Sequence, residues 1–233
     1  RMALSLAVDK EFIVDGMQNN GSRVADYLLP ESFAEGSDGV FFRDKIGNPM
    51  YNSCDKEKAL ELWETAKSEL GVDNITFELL YDVSTVTEEM CAFLKSEWEE
   101  TLPGITIELS QTTYNNRLEL MGKHDFEIGF TRWYADYQDP LTYLDMFIST
   151  SQMNYGQYSS AEYDALYQQV VGELALDEEA RITAMAEMEK IILGDAAILP
   201  LYQLSACVLQ NPDYNWVKNA AGVVQYEFVS YKN

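Results

Sequence analysis

Residues 126–140 carry the sequence Phe-Glu-Ile-Gly-Phe-Thr-Arg-Trp-Tyr-Ala-Asp-Tyr-Gln-Asp-Pro. The segment begins as a short apolar run of the kind that forms a buried strand, and it continues into aromatic residues, two aspartates and a proline. We therefore predict a strand over 126–130 that delivers the polar residues after it to the rim of a cleft. Whether these carboxylates perform chemistry or hold a ligand depends on what surrounds them.

The residues before this segment predict two more strands with helices between them. Strand-like runs at 75–81 and 105–109 alternate with helical periodicity at 85–98 and 114–121. The order β-α-β-α-β is typical of a parallel sheet with helices packed on its faces. Ligands of such sheets bind beyond the carboxyl ends of the strands. Residues 133–139 come directly after one of these ends.

Long helices are also predicted before and after these strands in the sequence. One follows Asp55 and ends at Gly71, and another follows Asp177 and ends at Gly194. Between the N-terminal helices and the first of these, residues 22–53 predict a long irregular segment with scattered glycines, prolines and aromatics. Such a segment is either functional or wraps the surface, and the sequence does not choose between these roles.

Local motifs predict the remaining elements. Capping boxes at 85–88 and 159–162 predict helices whose first caps are Thr85 and Ser159. In the C-terminal part, β-rich runs at 197–204, 206–209 and 226–231 predict short strands. The sequence contains no internal repeat and no low-complexity tract.

The composition and the absence of motifs argue against several classes of function. The chain has 233 residues with 39 acidic and 16 basic side chains, a net charge of −23, which disfavours nucleic acid and anionic membranes as partners. No nucleotide-binding loop or serine-hydrolase motif is present, so we predict no cofactor. Cys54, Cys91 and Cys207 are widely spaced, and we expect isolated small apolar residues rather than a disulfide framework.

Asp136 and Asp139 suggest two kinds of reactive or metal site. As a carboxylate pair they would suit a glycosidase or another hydrolase, although such pairs normally come from different strands. With Asp145 they would supply oxygen ligands for calcium, but their spacing matches no known calcium loop and Pro140 restricts the segment. His124 is the only histidine, which leaves histidine triads and the usual zinc sites poorly supported. We predict no metal and no catalytic residue.

The remaining hypothesis is a binding site for a cationic group. Asp136 would receive a ligand ammonium through a charge-assisted hydrogen bond. The rings of Trp133, Tyr134 and Tyr137 would exclude water and offer cation–π contact. The alternative is that Asp136 caps the helix after Pro140 while the aromatic residues pack on the sheet. The residues alone leave both hypotheses open.

Several segments resemble, in order, the motifs of one protein family. They include the Trp-Tyr-Ala-Asp-Tyr-Gln-Asp-Pro run with the residues after it, and the Ile-Leu-Pro-Leu-Tyr run near the C-terminus. The matching segments are 1–11, 21–30, 133–147, 158–166 and 198–202. Together they resemble the oligopeptide-binding proteins, the extracytoplasmic solute receptors of peptide ABC importers (solute-binding protein family 5). The resemblance runs along nearly the whole chain.

This resemblance implies a fold, a function and a location. The fold would be an α/β lobe like those of type II periplasmic binding proteins, with a mainly parallel sheet and helices on both faces. Residues 1–233 would form a single lobe, the C-terminal half of a two-lobe receptor, whose last strands normally return to the missing lobe. The implied function is capture of extracellular oligopeptides in a cleft and delivery to the permease, without catalysis. The protein would act as a cell-surface lipoprotein or in the periplasm, meeting the membrane only through a lipid anchor or the permease.

The resemblance also implies roles for individual residues. Asp136 would hold the α-ammonium of the peptide, the backbone from Arg132 to Tyr134 would pair with the extended ligand, and Tyr202 would lie near it. Arg132 stands where the family often has glycine, and residues 203–204 replace aromatics that often follow the tyrosine. Another solute on the same fold, such as a pheromone peptide, a nickel chelate or a sugar, is an alternative ligand.

Overall fold

The structure, a computed structural model, describes residues 1–47, 52–205, 208–218 and 224–232. The helices in these ranges are α1 (Met2–Leu6), α2 (Lys10–Phe12), α3 (Phe42–Ile46), α4 (Lys56–Leu70), α5 (Thr85–Thr101), α6 (Tyr114–Gly122), α7 (Leu141–Leu144), α8 (Ala161–Val171) and α9 (Glu178–Gly194). The strands are β1 (Arg23–Val24), β2 (Ile75–Asp82), β3 (Ile105–Thr112), β4 (Ile128–Gly129), β5 (Tyr202–Gln203), β6 (Tyr214–Asn215) and β7 (Ser230–Tyr231). A π-helical turn, Ile13–Gln18, continues α2, and 3₁₀ turns cover Asp145–Phe147 and Tyr226–Phe228. Among these helices, none has both the length and the apolar character needed to cross a bilayer.

The predicted parallel sheet is confirmed, in the order β3-β2-β4. β2 pairs with β3 over its whole length, whereas β4 pairs with β2 only at Leu79 and Leu80. Because β3 and β4 lie on opposite sides of β2, the two connections cross the sheet in opposite directions. Right-handed crossovers then place α5 and α6 on opposite faces of the sheet. β4 forms one edge of the sheet and is shorter than the predicted strand over 126–130.

The predicted helix starts hold to within one residue. Asp55 and Asp177 accept hydrogen bonds from backbone N–H groups three residues later, as N-cap aspartates do. α5 and α8 are capped by Ser84 and Ser160, one position from the predicted caps in each case. These two predictions were wrong because an adjacent serine hydroxyl, rather than the first residue of the capping box, meets the free N–H group.

The buried side chains form two groups. The first, the sheet core, joins α1, α4 and α5 to the parallel sheet; its largest members are Trp63, Leu79, Tyr81, Met90, Leu94, Trp98, Ile107 and Phe130. The second, the helical core, joins the irregular N-terminal segment to α7, α8 and α9; its largest members are Tyr27, Leu29, Phe33, Phe42, Tyr143, Leu144, Tyr163, Met185, Met188 and Ile192. Residues 131–136 lie where the chain leaves the sheet and reaches the helical core.

The described part of the irregular segment over 22–53 wraps the helical core. Arg43 and Glu189 form an ion pair of 2.6 Å between Nη2 and Oε1, and their side chains are 2% and 1% exposed. The same Glu189 oxygen accepts the backbone N–H groups of Leu28 and Leu29 at 2.9 and 2.8 Å. A buried carboxylate needs such partners, so this cluster attaches the segment to α9.

The C-terminal strands are shorter than predicted. The run over 197–204 contains only β5, and its first residue, Ala197, donates its N–H to the carbonyl of Ile192 at the end of α9. Residues 208–209 form no strand, and 206–207 lie outside the described residues. The first half of 226–231 is a 3₁₀ turn rather than a strand. β5 pairs antiparallel with β1, and β6 with β7.

Candidate functional site

The segment after β4 presents its side chains alternately outward and inward. It runs through residue 135 without helix, turn or bend. Arg132, Tyr134 and Asp136 are exposed, whereas Trp133 and Ala135 are half-buried against the helical core. Successive side chains of a straight chain point to opposite sides. Three of the predicted site residues therefore share one surface, which we call the recognition face (Arg132, Tyr134 and Asp136).

The backbone behind this face is unpaired within the described residues. The last ladder bond of the sheet runs from the N–H of Phe130 to the carbonyl of Leu80, at 2.9 Å. Beyond it, the N–H and C=O groups of Arg132, Trp133 and Tyr134 form no hydrogen bond with any part of the chain that the structure describes. Unpaired groups at the edge of a sheet are a template for pairing with another strand.

Thr142, in α7, holds the segment from its inward side. Its hydroxyl accepts the backbone N–H of Asp136 at 3.0 Å, and its carbonyl accepts the indole N–H of Trp133 at 2.9 Å. Because Thr142 is only 1% exposed, both bonds are shielded from water. Trp133, one of the predicted ligand residues, thus lies on the opposite side of the segment from the recognition face.

The carboxylate of Asp136 is exposed and forms no hydrogen bond or ion pair with the described residues. The sequence left open whether this side chain caps the helix after Pro140. It does not: the N-cap position of α7 is Pro140, without a side-chain cap, and the N–H of Leu141 donates to Oδ1 of Asp139 at 2.9 Å instead. Asp136 is therefore available to a ligand.

Both carboxylate oxygens of Asp139 accept hydrogen bonds from other residues of the chain. Its two oxygens accept hydrogen bonds from Nη1 and Nη2 of Arg181 at 2.6 and 2.9 Å, a bidentate pair that joins the turn to α9. The two aspartates of this segment thus have different environments, and only one offers a free carboxylate. Among the described residues, no group of three or more His, Cys, Asp or Glu side chains is arranged to hold a metal ion.

Tyr137 and Asp145 extend the site beside Asp136. The hydroxyl of Tyr137 donates to Oδ2 of Asp145 at 3.0 Å, and burial raises the pKa of both groups. The hydrogen bond from Tyr137 lowers the pKa of Asp145, while the negative charges of Asp136 and Asp139 raise it. Carboxylates that interact in this way create a region of negative potential, which attracts cations.

Tyr202 comes to the other end of the recognition face from a distant part of the chain. It lies on β5, opposite Val24 of β1, and is half-buried. Burial raises the pKa of its hydroxyl, the charge of Arg132 lowers it, and Tyr134 raises it. The side chain of Tyr202 therefore lies near the Arg132 end of the recognition face.

Comparison with known proteins gives the family. Residues 1–155 match the family described as bacterial extracellular solute-binding proteins, family 5, middle region. The chain belongs to this family. The predicted resemblance is thereby confirmed.

Individual members of the family match most or all of the chain. The periplasmic oligopeptide-binding protein OppA of Salmonella typhimurium is 26% identical over 236 residues, covering 100% of this chain and 41% of that protein. The substrate-binding domain of an oligopeptide ABC transporter from Bacillus anthracis has a TM-score of 0.89 at 31% identity, covering 99% of this chain and 45% of the other. Listeria monocytogenes OppA bound to peptide has a TM-score of 0.86 at 30% identity, with coverages of 100% and 44%.

These matches show the fold class and how much of each relative the chain covers. The likeness to the solved binding proteins confirms an α/β lobe of the type II periplasmic-binding-protein kind. The chain spans less than half the length of these relatives.

Two arginines that bind residues next to the recognition face, Arg117 and Arg181, were not predicted as site residues. Arg117 of α6 is buried, donates to the hydroxyl of Thr131 at 3.0 Å, and its Nε lies 3.1 Å from Oδ1 of Asp82. The available signal was its spacing of four residues from Met121, which places an arginine on the buried face of the helix. Arg181, which binds Asp139, has no comparable signal because it lies on a distant helix.

Proposed function

We propose that the full-length protein carrying this chain is the substrate-binding component of an ABC importer. It captures oligopeptides outside the cytoplasm and delivers them to the permease subunits, without catalysis. Residues 1–233 form one lobe of a two-lobe receptor, and the recognition face is one wall of its cleft. The relatives named for oligopeptide binding support this function.

One observation carries the proposal: an unpaired backbone edge at 132–134 lies beside the partnerless carboxylate of Asp136. The backbone edge pairs with any extended peptide, because main-chain hydrogen bonds do not depend on side chains. The carboxylate recognises what every unmodified peptide has at one end, an α-ammonium group. The nearby carboxylate of Asp145 adds to the attraction for an ammonium group.

The exposure of the recognition face explains why a second lobe is needed. Tyr134 is 66% exposed, and Asp136 faces open solvent. A charge-assisted hydrogen bond contributes little to affinity while water competes for both partners. Closure of a second lobe over the peptide, a hinge motion, would exclude that water. The lobe alone is therefore expected to bind peptides weakly.

The carboxylate arrangement also argues against hydrolysis by Asp136 and Asp139. A hydrolase pair needs two carboxylates that both reach the substrate. Here Arg181 and the backbone of Leu141 occupy the oxygens of Asp139. We expect saturable binding of peptides and no turnover of either peptides or glycosides.

Membership of the extracellular solute-binding family supports a location outside the cytoplasm. Extracellular solute-binding proteins act outside the cytoplasm, in the periplasm or at the cell surface as lipoproteins, and we place this protein there. Its membrane contact is through a lipid anchor or through the permease. A net charge of −23 leaves nucleic acid an unsuitable partner.

The decisive experiment changes Asp136→Asn in the full-length protein and measures peptide binding by calorimetry. Peptides with a free amino terminus should bind about tenfold or more weakly, since a hydrogen bond between charged groups is lost. The same peptides with an acetylated amino terminus should change little. Equal loss for both would exclude Asp136 as the ammonium receptor.

A matched control is available in Asp125→Asn. Asp125 is exposed and precedes β4, so it lies at the end of the strand opposite the recognition face. The variant removes the same charge without touching the site. It should bind free and acetylated peptides as the wild type does.

A further inference from the structure

Arg132 stands at the opposite end of the recognition face from Asp136. It is exposed and forms no hydrogen bond or ion pair with the described residues. This is unexpected in a chain with 39 acidic and 16 basic side chains. Most of the other lysines and arginines in the described chain pair with carboxylates. The guanidinium of Arg132 is thus free to meet an anion from outside.

The neighbours of Arg132 favour a carboxylate as that anion. Tyr134 shares the recognition face with Arg132 two residues along the segment, and the charge of Arg132 lowers the pKa of Tyr202. Burial raises the pKa of Tyr202, which keeps its hydroxyl protonated and able to donate at neutral pH. A planar guanidinium binds both oxygens of a carboxylate, and phenol hydroxyls supply further donors.

The spacing within the recognition face sets the distance between the two charges of a ligand. Arg132 and Asp136 are four residues apart in a straight segment, which at about 3.3 Å per residue separates their Cα atoms by about 13 Å. An extended peptide beside the segment advances by the same distance per residue. A ligand whose ammonium meets Asp136 therefore reaches Arg132 about four residues along its own chain.

We propose that Arg132 makes this site selective for peptides that carry a carboxylate about four residues from a free α-ammonium. Arg132 binds the carboxylate, with Tyr134 and Tyr202 beside it. The carboxylate is the C-terminus of a short peptide or an acidic side chain of a longer one. This inference rests on the proposed function and adds the class of peptide that the site prefers.

The test compares four probes against the full-length wild-type protein by calorimetry. They are tetra-alanine, its C-terminal amide, and the amidated peptides Ala-Ala-Ala-Glu-Ala-Ala and Ala-Ala-Ala-Gln-Ala-Ala. We expect the carboxylate member of at least one pair to bind about tenfold more tightly. A preference within the tetra-alanine pair shows that Arg132 binds a C-terminal carboxylate. A preference within the longer pair shows that it binds the carboxylate of an acidic side chain.

The variant Arg132→Gln should abolish this preference and leave the affinities of the two probes without a carboxylate within about twofold of their wild-type values. Lys123→Gln is the matched control: Lys123 is 64% exposed and precedes β4, so it lies at the other end of this strand from the recognition face. It removes the same charge, and it should retain the preference.

The outcomes separate this inference from the proposed function. If the wild-type protein binds both members of each probe pair equally, the selectivity for carboxylates is overturned, while the proposed peptide binding is unaffected. This outcome needs no variant. Equal weakening of all four probes by Arg132→Gln also overturns the selectivity. If the wild-type protein binds none of the probes and no other free-amine peptide, the proposed function and this inference fail together.

Discussion

The two sides of residues 132–136 use their polar groups in opposite ways. On the exposed side, Arg132 and Asp136 carry charges that no described residue neutralises. On the inward side, the indole N–H of Trp133 and the backbone N–H of Asp136 donate hydrogen bonds to Thr142, next to the helical core. The inward side fixes the geometry, and the exposed side remains open to a ligand. Substitutions on the inward side should therefore reduce stability, and substitutions on the exposed side should reduce binding.

The largest loss of stability should follow Glu189→Ala, in the core behind the segment. This change leaves the guanidinium of Arg43 buried without its carboxylate, which costs about 3–5 kcal/mol of unfolding free energy. Urea denaturation measures the loss. Glu187→Ala is the control, because Glu187 lies on the same helix but pairs with Lys190 at the surface. A loss below about 1 kcal/mol for Glu189→Ala would show that the helical core does not depend on the pair.

Thr142→Val should have the next largest effect and should reduce both the unfolding free energy and the peptide affinity. The valine keeps the shape but leaves the N–H of Asp136 without its acceptor, at a cost of about 1–2 kcal/mol. Peptide affinity should also fall, because the same bond positions the Asp136 carboxylate. Thr142→Ser keeps the hydroxyl and should preserve affinity. If valine and serine behave alike in calorimetry, the hydroxyl does not position the site.

A smaller effect is expected at the ion pair of Asp139 and Arg181. Their side chains are 30% and 21% exposed, so solvent screens the interaction. A double-mutant cycle with Asp139→Asn and Arg181→Gln should give a coupling free energy of about 1 kcal/mol, decreasing with added salt. Discrimination between free and acetylated peptides should survive in both single variants. Loss of discrimination would assign Asp139 a direct part in binding.

The smallest effect on stability should come from Tyr134→Ala on the recognition face. A side chain that is 66% exposed contributes little to folding, so unfolding free energy should stay within about 0.5 kcal/mol of the wild type. Peptide affinity should nevertheless decrease. Unchanged affinity in calorimetry would remove Tyr134 from the recognition face as a functional surface.

Elements that depend on local or near-local patterns were predictable from the sequence. The β-α-β-α-β order of neighbouring segments predicted the parallel sheet. Asp55 and Asp177 predicted the helix caps, because a cap joins residues only three positions apart. Of the two-residue strands, β1 and β6 were not predicted, and the runs that contain β4, β5 and β7 predicted longer strands than the structure has. Their position depends on partners far along the chain, so the β-rich run over 197–204 predicted more strand than β5 contains.

The candidate site was predictable in part. The family motif singled out Asp136, but the difference between Asp136 and Asp139 depends on Arg181, a residue of a distant helix. Likewise, the sequence placed Trp133 with the ligand residues, because it does not show which side chains of an extended segment point inward. The bond from its indole N–H to Thr142 becomes visible only once α7 packs behind the segment.

The pairing of β1 with β5 affects the order in which the molecule assembles. Next to this pairing, the N–H of Ser205 donates to the hydroxyl of Ser22, 183 positions earlier in the chain. Contacts between such distant residues form slowly, because the chain entropy lost in closing the loop precedes any gain. The parallel sheet is built from neighbouring segments and should form first. Tyr202 should reach Arg132 late in folding, so competence for ligand recognition should appear only after most secondary structure is complete.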